Sequence, residues 1–413
     1  MSKRVVILGA GFAGLSAALE LGKLKRQHRQ RQSERRTQED IDIVLIDRND
    51  FQLFTPDLYE IASAAKEIEN EEQLKQTVTL NIRTVLGKQS VGFIQADIQS
   101  VDSKHKQVMT SKGEVDYDYL IFALGSEPFY FGIPGMQEHS IPFKWIDHAV
   151  NIRKTVYALM EAQPQVHVII CGAGAAGVEL AAEMRQACIA QVKKNCFAIT
   201  IVEGRDTVLP PFSKKTQTAA AQRLKKLGIR MKTNFLIAQA EKGKVISTTG
   251  EVLEGDMIIW TGGIGANSIL RKTDFVLTKR GQLTVRSTLQ LEQQDNVFAI
   301  GDSAECSVGE KQYAPQTAHE AVHQGPIAAA NVMHLLRKEA LENYTMKNEG
   351  IVITMGGKNG IVELPNGWVL TGMIGWFVRK FVDFRHFKSV LPFMQACSLW
   401  YRGLRMMIKN DSL

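Results

Sequence analysis

Apolar residues fall along this chain in short continuous runs, and two of the runs pass directly into helical spacing. Val5-Val6-Ile7-Leu8 reads as a strand buried on both faces, and Leu15, Ala18 and Leu19 then recur at helical intervals. The succession returns with Val166, Val168, Ile169 and Ile170, followed by Val178, Leu180, Ala181 and Met184. Ile43-Val44-Leu45-Ile46 and Ile199-Thr200-Ile201-Val202 predict a second strand for each unit, ended by Asp47 and Glu203. Further strands are expected at 91–94, near Val101, and at 107–110, 119–123, 245–249, 257–260, 297–300, 351–355 and 360–364. Helices are expected at 58–65 and 315–336, with polar sequence from there to about Arg83 after the first of them. Ile133-Pro134-Gly135 reads as a chain crossing. The polar and basic stretch 22–42 predicts an extended helix end and a solvated loop.

Each strand-to-helix passage is made by a glycine fingerprint. Gly9-Ala10-Gly11-Phe12-Ala13-Gly14 and Gly172-Ala173-Gly174-Ala175-Ala176-Gly177 both have the form G-x-G-x-x-G, with the strand before and the helix after that the motif needs. The first glycine permits a tight turn, the second lets backbone approach a pyrophosphate, and the third allows close helix–strand packing. The helix N-terminus favours the phosphate charge. Two such turns predict two bound dinucleotides in an α/β chain with two Rossmann-type units. An acid about 20 residues beyond the glycines holds the ribose hydroxyls in such units. Asp47 fills this place in the first, its wider spacing absorbed by the 22–42 insertion, and Glu203 in the second. A carboxylate there accepts from a free 2′-hydroxyl and repels a 2′-phosphate, which favours NAD over NADP. Gly301-Asp302, after the apolar run 297–300, offers a carboxylate to a polyol such as a flavin's ribityl chain. The helix that starts just beyond could steady an anionic reduced flavin with its N-terminal amides.

The chain has 413 residues, 45% apolar and 23% charged, ordinary for a folded protein of two or three domains. It opens straight into a strand, without an apolar leader, and its five cysteines form no C-x-x-C, which together fit a reducing cytoplasm. No metal site is expected. The net charge of +7 is concentrated in the tail, where seven cations from Arg379 to Lys409 face only Asp383 and Asp411. No recognition motif accompanies them, so a nucleic-acid partner is not expected. The tail also holds nine of the 31 aromatic residues. Its apolar run 368–378 is shorter than the about 20 residues needed to span a bilayer. Phe377, Phe381 and Phe384 fall on a different helical face from Lys380, Asp383 and Lys388. The pattern predicts an amphipathic helix lying in a membrane interface, with its cations toward anionic lipid.

Over nearly its full length the chain resembles the FAD/NAD-linked pyridine nucleotide oxidoreductases, and among them most resembles the membrane-bound type II NADH:quinone oxidoreductases. Phe51-Gln52-Leu53-Phe54-Thr55-Pro56-Asp57-Leu58-Tyr59-Glu60 is similar to that family's flavin-ring segment, and Phe122-Ala123-Leu124-Gly125 to its A-T-G segment. Trp260-Thr261-Gly262-Gly263 resembles the W-x-x-G segment near the nicotinamide, and Gly177-Val178-Glu179 the G-x-E whose glutamate relays protons or orients the nicotinamide. Ala318-His319-Glu320-Ala321-Val322-His323-Gln324 lines up with the quinone-side A-Q-x-A-x-Q-Q, with His319 and His323 in place of glutamines. An imidazole titrates near neutral pH where an amide cannot.

The resemblance implies non-covalently bound FAD, NADH as donor and a membrane quinone as acceptor, in a ping-pong reaction that pumps no protons. The flavin would be held by Gly9, Gly11, Phe12, Ala13, Gly14, Asp47, Arg48, Thr55, Pro56, Ala96, Ala123, Gly125, Gly301, Asp302, Thr317 and Ala318. NADH would be held by Gly172, Gly174, Ala175, Gly177, Glu179, Glu203, Gly262 and Gly263. Glu179, His319, His323 and Gln324 would be catalytic. The FAD domain is expected over 1–110 and 280–335, the NAD domain over 111–279, and a membrane-associating and dimerising region over 336–413. A peripheral homodimer on the cytoplasmic face of the cell membrane follows from the same resemblance. Two alternatives remain open at this point: a flavoprotein like the sulfide:quinone oxidoreductases, using Cys306 or Cys397, and a non-catalytic NADH-binding scaffold. The C-x-x-x-x-C of disulfide reductases is absent.

Overall fold

A computed structural model describes residues 2–32, 41–65, 70–192, 197–310 and 312–412. It divides into two compact units. The first comprises Met1–Gln52, Leu80–Glu127 and Gly265–Lys347, and the second Leu53–Thr79, Pro128–Ile264 and Asn348–Leu413.

The first unit is built on a nine-stranded sheet among the described residues. From its middle to one edge run five parallel strands in the order Gln294–Ala299, Tyr119–Phe122, Lys3–Leu8, Ile41–Asp47 and Gly92–Gln95. Burial on both faces explains the continuous apolar run of Lys3–Leu8, where Val5, Val6, Ile7 and Leu8 are each fully buried. The helices Phe12–Gln32 and Ala318–Arg337 pack together through small residues. A Cβ on Gly325 would lie 2.7 Å from Ser16 Cβ and 2.8 Å from the Ala13 carbonyl oxygen, and Ser16 Oγ donates to the Val322 carbonyl at 2.9 Å.

In the second unit a five-stranded parallel sheet has the order Ile141–Pro142, Met257–Trp260, His167–Cys171, Ala198–Val202, Arg230–Lys232. The helices Ile146–Ala162, Ala175–Val192 and Lys214–Lys226 belong to the same unit. The tail completes it with an antiparallel sheet (Ile351–Thr354, Gly360–Glu363, Val369–Gly372) and two helices, Met373–Val390 and Phe393–Ser412, parted by Pro392.

The units cut the chain at other places than the expected 110, 279 and 335. Strand pairing explains the first difference: Tyr119–Phe122 hydrogen-bonds between Lys3–Leu8 and Gln294–Ala299, which draws the sequence up to Glu127 into the first unit. Residues 336–347 stay with the first unit, where the Tyr344 amide donates to the Ser287 carbonyl at 2.7 Å. Residues 53–79 and the tail belong to the second. Of the 22–42 stretch, residues up to Gln32 continue the first fingerprint helix, and 33–40 lie outside the described residues.

One expectation for the tail is corrected here. Arg379 and Lys380 do not turn toward lipid: they are 6% and 4% exposed and sit in buried ion pairs. The apolar face is as the pattern predicts, with Phe377 59% and Phe381 65% exposed. Phe384 packs edge-on against Phe393 and Trp400. Among the described residues no helix is long and apolar enough to cross a membrane.

Candidate functional site

The two fingerprints fold alike, and each glycine has a separate job. In the first unit Gly9 has φ +98°, and a Cβ there would stand 2.3 Å from the Ala123 carbonyl oxygen. A Cβ on Gly14 would meet the Gly9 carbonyl oxygen at 1.8 Å, so only glycine lets the helix sit against the turn. At Gly11 a Cβ would meet nothing within 4 Å. The second unit repeats this. Gly172 has φ +114° and a Cβ there would stand 2.7 Å from Gly262 Cα, a Cβ on Gly177 would stand 2.0 Å from the Gly172 carbonyl oxygen, and one on Gly174 would meet nothing within 4 Å. Gly9, Gly14, Gly172 and Gly177 are therefore demanded by the protein itself. Gly11 and Gly174 are demanded by nothing inside it and leave a cradle for an outside group, as a dinucleotide requires.

The strand-end acids confirm the parallel. Asp47 Oδ2 accepts from the Ala10 amide at 2.7 Å and Oδ1 from the Asn49 amide at 2.8 Å. Glu203 Oε2 accepts from the Ala173 amide at 2.9 Å and Oε1 from the Arg205 amide at 3.0 Å. Each carboxylate closes its glycine turn and retains lone pairs for hydroxyl donors. Burial raises the Asp47 carboxyl above its ordinary range, against the Ala10 and Asn49 hydrogen bonds.

Around the first cradle, Gly125 has φ +70° and a Cβ there would also meet nothing within 4 Å. The Ala123 amide donates to the Leu8 carbonyl and the Ala96 amide to the Asp47 carbonyl. Arg48 is exposed, 3.9 Å from Asp97. Ser126 Oγ donates to Asp302 Oδ2, while Gln282 and Gln316 hold the Asp302 carbonyl at 3.3 and 3.1 Å. Thr317 caps the helix Ala318–Arg337, accepting from the Glu320 amide. Gln324 is buried, and its Oε1 accepts from the Gly301 amide at 2.7 Å. Its side chain thus holds the turn that carries Asp302. His319 is half-buried, with Nε2 3.2 Å from the Lys347 carbonyl oxygen, and its ring lies 4.5 Å from that of His323. The sequence pattern missed the partner beside them: Tyr344 donates to the buried Glu320 carboxylate.

Around the second cradle, Gly262 and Gly263 pack under aromatic rings. A Cβ on them would come within 2.6 Å of Trp260 and 2.4 Å of Phe131 respectively. Ala175 opens the helix that carries Glu179. Glu179 accepts from both the amide and the hydroxyl of Thr354 at 3.1 Å, and Arg379 Nη1 lies 3.5 Å from it. Burial raises its carboxyl above the ordinary range, partly offset by Arg379 and the two Thr354 bonds. Thr55 and Pro56 lie in this second unit, where the Pro56 carbonyl accepts from Arg379 at 2.8 Å. Nothing in the local sequence signalled Arg379, which reaches across more than 300 positions to Asp57.

Cys306 is buried, and burial pushes its thiol up to about 11, so it is held as the poorly nucleophilic thiol. Cys397 is half-buried in the last helix.

Two open glycine cradles, each closed by its own strand-end carboxylate, define a protein built to hold two dinucleotides. The chain belongs to the pyridine nucleotide-disulphide oxidoreductase family, whose pattern matches residues 3–325. It is similar to the type II NADH:quinone oxidoreductase of Staphylococcus aureus strain NCTC 8325 / PS 47, 29% identical over 400 residues that cover 93% of this chain and 94% of that protein. Its fold matches that of NDH2 from Plasmodium falciparum, solved in complex with NADH, with a TM-score of 0.81 at 19% identity over 100% of this chain and 98% of the other. The sulfide:quinone oxidoreductase of Aquifex aeolicus shares the fold at a TM-score of 0.76 and 16% identity, covering 100% of this chain and 92% of the other.

Proposed function

We propose that this chain is a type II NADH dehydrogenase, which takes hydride from NADH and reduces a membrane quinone by way of a non-covalently bound FAD. The observation that carries this reading is the pair of cradles at Gly11 and Gly174, open to a ligand and backed by Asp47 and Glu203. The similarity to the staphylococcal enzyme over 93% of the chain supports it.

A bound flavin supplies the two-electron relay between a hydride donor and a quinone. The chain's residues hold, orient and manage protons. Gly11, Phe12 and Ala13 give backbone to the flavin nucleotide's pyrophosphate, Asp47 takes its ribose hydroxyls, and Asp302 takes a polyol hydroxyl. Ser126 and Gln324 fix Asp302 and its turn, so Gln324 is a positioning residue. Gly174 and Ala175 receive the NADH pyrophosphate, and Glu203 its adenosine ribose. The reaction NADH + H⁺ + quinone → NAD⁺ + quinol takes one proton from the medium. Glu179, whose carboxyl is raised by burial, holds a proton in the second unit; in the first, His319 and His323 are candidate proton carriers on their own helix. The order is ping-pong, with NAD⁺ leaving before quinone is reduced.

The protein attaches peripherally through an apolar stripe on its last two helices and the turn before them. Trp368 is 69%, Phe381 65%, Met394 76% and Tyr401 61% exposed. Aromatic rings suit the headgroup depth of a bilayer, and NADH places the attachment on the cytoplasmic face. The same stripe would bury in a homodimer. Steady-state NADH oxidation by purified, lipid-supplemented protein with menaquinone and ubiquinone analogues tests the reading. Turnover with either supports it, and flavin reduction without turnover on any quinone points instead to a scaffold.

A further inference from the structure

In the second unit several carboxyl groups gather around two buried cations, Arg379 and Lys380. Arg379 Nε donates to Asp383 Oδ1 at 2.8 Å, Arg379 Nη2 to Asp57 Oδ1 at 2.9 Å, and Arg379 Nη1 lies 3.5 Å from Glu179. Lys380 Nζ donates to Glu60 Oε1 at 2.8 Å and stands 3.8 Å from Asp383 Oδ2. Four carboxyl groups thus share two cations. Their side-chain exposures are 7% for Asp57, 3% for Glu60, 12% for Glu179 and 3% for Asp383. Were all four ionised, this largely buried cluster would carry two more negative charges than positive ones, an excess that protein interiors avoid by protonation. Asp383 Oδ2 shows the shortfall directly: it is buried and has no hydrogen-bond partner among the described residues.

From the neighbouring elements, the buried Arg153 gives its guanidinium to the Ala64 and Ala65 carbonyls at 2.7 and 2.6 Å, and the buried Glu183 accepts from the Gly357 amide at 3.1 Å. Tyr59 lies 3.5 Å from Asp57 Oδ1 and stays a neutral phenol, its hydroxyl pushed well above the ordinary range by burial. Thr354 supplies two neutral donors to Glu179. The last helix offers the Trp400 indole to the Lys380 carbonyl, its Arg402 and Arg405 are exposed, and its Lys409 is half-buried near the helix end, where Asn410 accepts from the Ala65 amide. Burial pushes His386, one turn further along, down to about 4, so it is neutral. Glu363 accepts from Ser213 and Thr216 instead.

We propose that Asp57, Glu60, Glu179, Arg379, Lys380 and Asp383 form one proton reservoir, which keeps at least one carboxyl protonated at neutral pH and in which Glu60 and Asp383 set how tightly Glu179 holds its proton. The use of this reservoir rests on the NADH:quinone reading, in which each turnover draws one proton from the medium: the cluster yields it and regains it from water. Burial raises Glu60 to about 7 and Asp383 to about 6, and raises Glu179 as well, although the neighbouring cations pull the other way. The carboxylates in turn hold Arg379 and Lys380 charged against the cost of burial. Glu60 and Asp383 are positioning residues.

The test is an infrared pH titration of the full-length holoenzyme that follows the C=O stretch of protonated carboxyl groups. Wild type should keep such a band at about pH 7. Glu60→Gln and Asp383→Asn each remove one negative charge and should move its midpoint down by about one unit or more. Lys380→Met removes a positive charge and should move it up, whereas an unfolded variant would move every carboxyl to its ordinary value. Glu179→Gln should lower the midpoint too, and an unchanged midpoint in that variant removes Glu179 from the reservoir and overturns the proposal. The absence of a band near neutral pH, or the same midpoint in all four variants, overturns the proposal. So does a pH profile of quinone-dependent turnover that stays fixed while the infrared midpoint moves. The infrared result needs no turnover, so a protein inactive with quinones would refute the functional reading while leaving the reservoir intact.

Discussion

Alanine at the second and third glycines of each fingerprint should have opposite effects on stability. A Cβ on Gly14 would sit 1.8 Å from the Gly9 carbonyl oxygen, roughly 1.5 Å short of ordinary contact. Relief requires the helix to back away from the turn, and overpacking of this kind costs about 1–3 kcal/mol or more. A Cβ on Gly11 meets no protein atom within 4 Å, and its φ lies outside the left-handed region. In flavin-free protein Gly11→Ala should therefore be neutral or stabilise by about 0.4–1 kcal/mol, because the unfolded chain loses freedom. With flavin the order changes. The added methyl enters the space assigned to the pyrophosphate, and an overpacking cost of about 1–3 kcal/mol weakens binding roughly 5- to 150-fold. Urea unfolding of flavin-free protein gives the first quantity and a flavin fluorescence titration gives the second. The same substitution at Gly174, also open, should spare flavin and weaken NADH by a similar factor. Undiminished flavin affinity in Gly11→Ala, or an exchange of the two ligand effects between the cradles, would refute the assignment.

Other expectations can be checked separately. Glu203→Ala removes acceptors for the Ala173 and Arg205 amides and the repulsion toward a 2′-phosphate, so KM for NADH should rise while discrimination against NADPH falls, read from kcat/KM for both. Glu60 is raised in the folded state from 4.5 to about 7, so its contribution to stability is complete below about 4.5 and is lost as pH rises through about 7. Urea midpoints should fall over that window, and Glu60→Gln should flatten the fall; a midpoint that instead rises with pH contradicts the sign. Phe377→Glu with Phe381→Glu takes two exposed rings off the apolar stripe, and at about 1.5–3 kcal/mol per buried ring should cut vesicle co-sedimentation roughly a hundredfold or more while flavin stays bound. An unchanged sedimentation would move the attachment elsewhere. Cys306→Ala with Cys397→Ala should keep quinone-dependent NADH oxidation, since the buried Cys306 thiol is held near 11; its loss would favour sulfide-type cysteine chemistry.

Local sequence revealed the parts whose cause is local. The strands Gln107–Thr110 and Met257–Trp260 lie where their apolar runs predict, and the glycine turns follow from a spacing that only one backbone path satisfies. Asp47 was legible as a strand end even with a long insertion before it, because the parallel strand Ile41–Asp47 is apolar almost throughout. The tail was half legible. Its exposed aromatic face showed in the helical period, but Lys380 and Asp383 read as part of the polar face, with the tail's cations turned toward anionic lipid. Their partners Asp57, Glu60 and Glu179 are some 200 to 320 positions away, and charge patterning within a helix carries no signal of such pairs. Gln324 shows the same limit. Its place in a motif suggested a side chain acting on quinone, whereas the fold gives its amide oxygen to Gly301.

The central claim is that one chain holds an exchangeable NADH and a resident flavin and delivers the electrons to a quinone. Anaerobic stopped-flow on the lipid-supplemented holoenzyme tests it in two mixes, with the flavin absorbance as the signal. The account predicts full bleaching by one equivalent of NADH, followed by recovery when a quinone is added after NAD⁺ has been removed. Absence of bleaching, or recovery only while NAD⁺ stays bound, would contradict it.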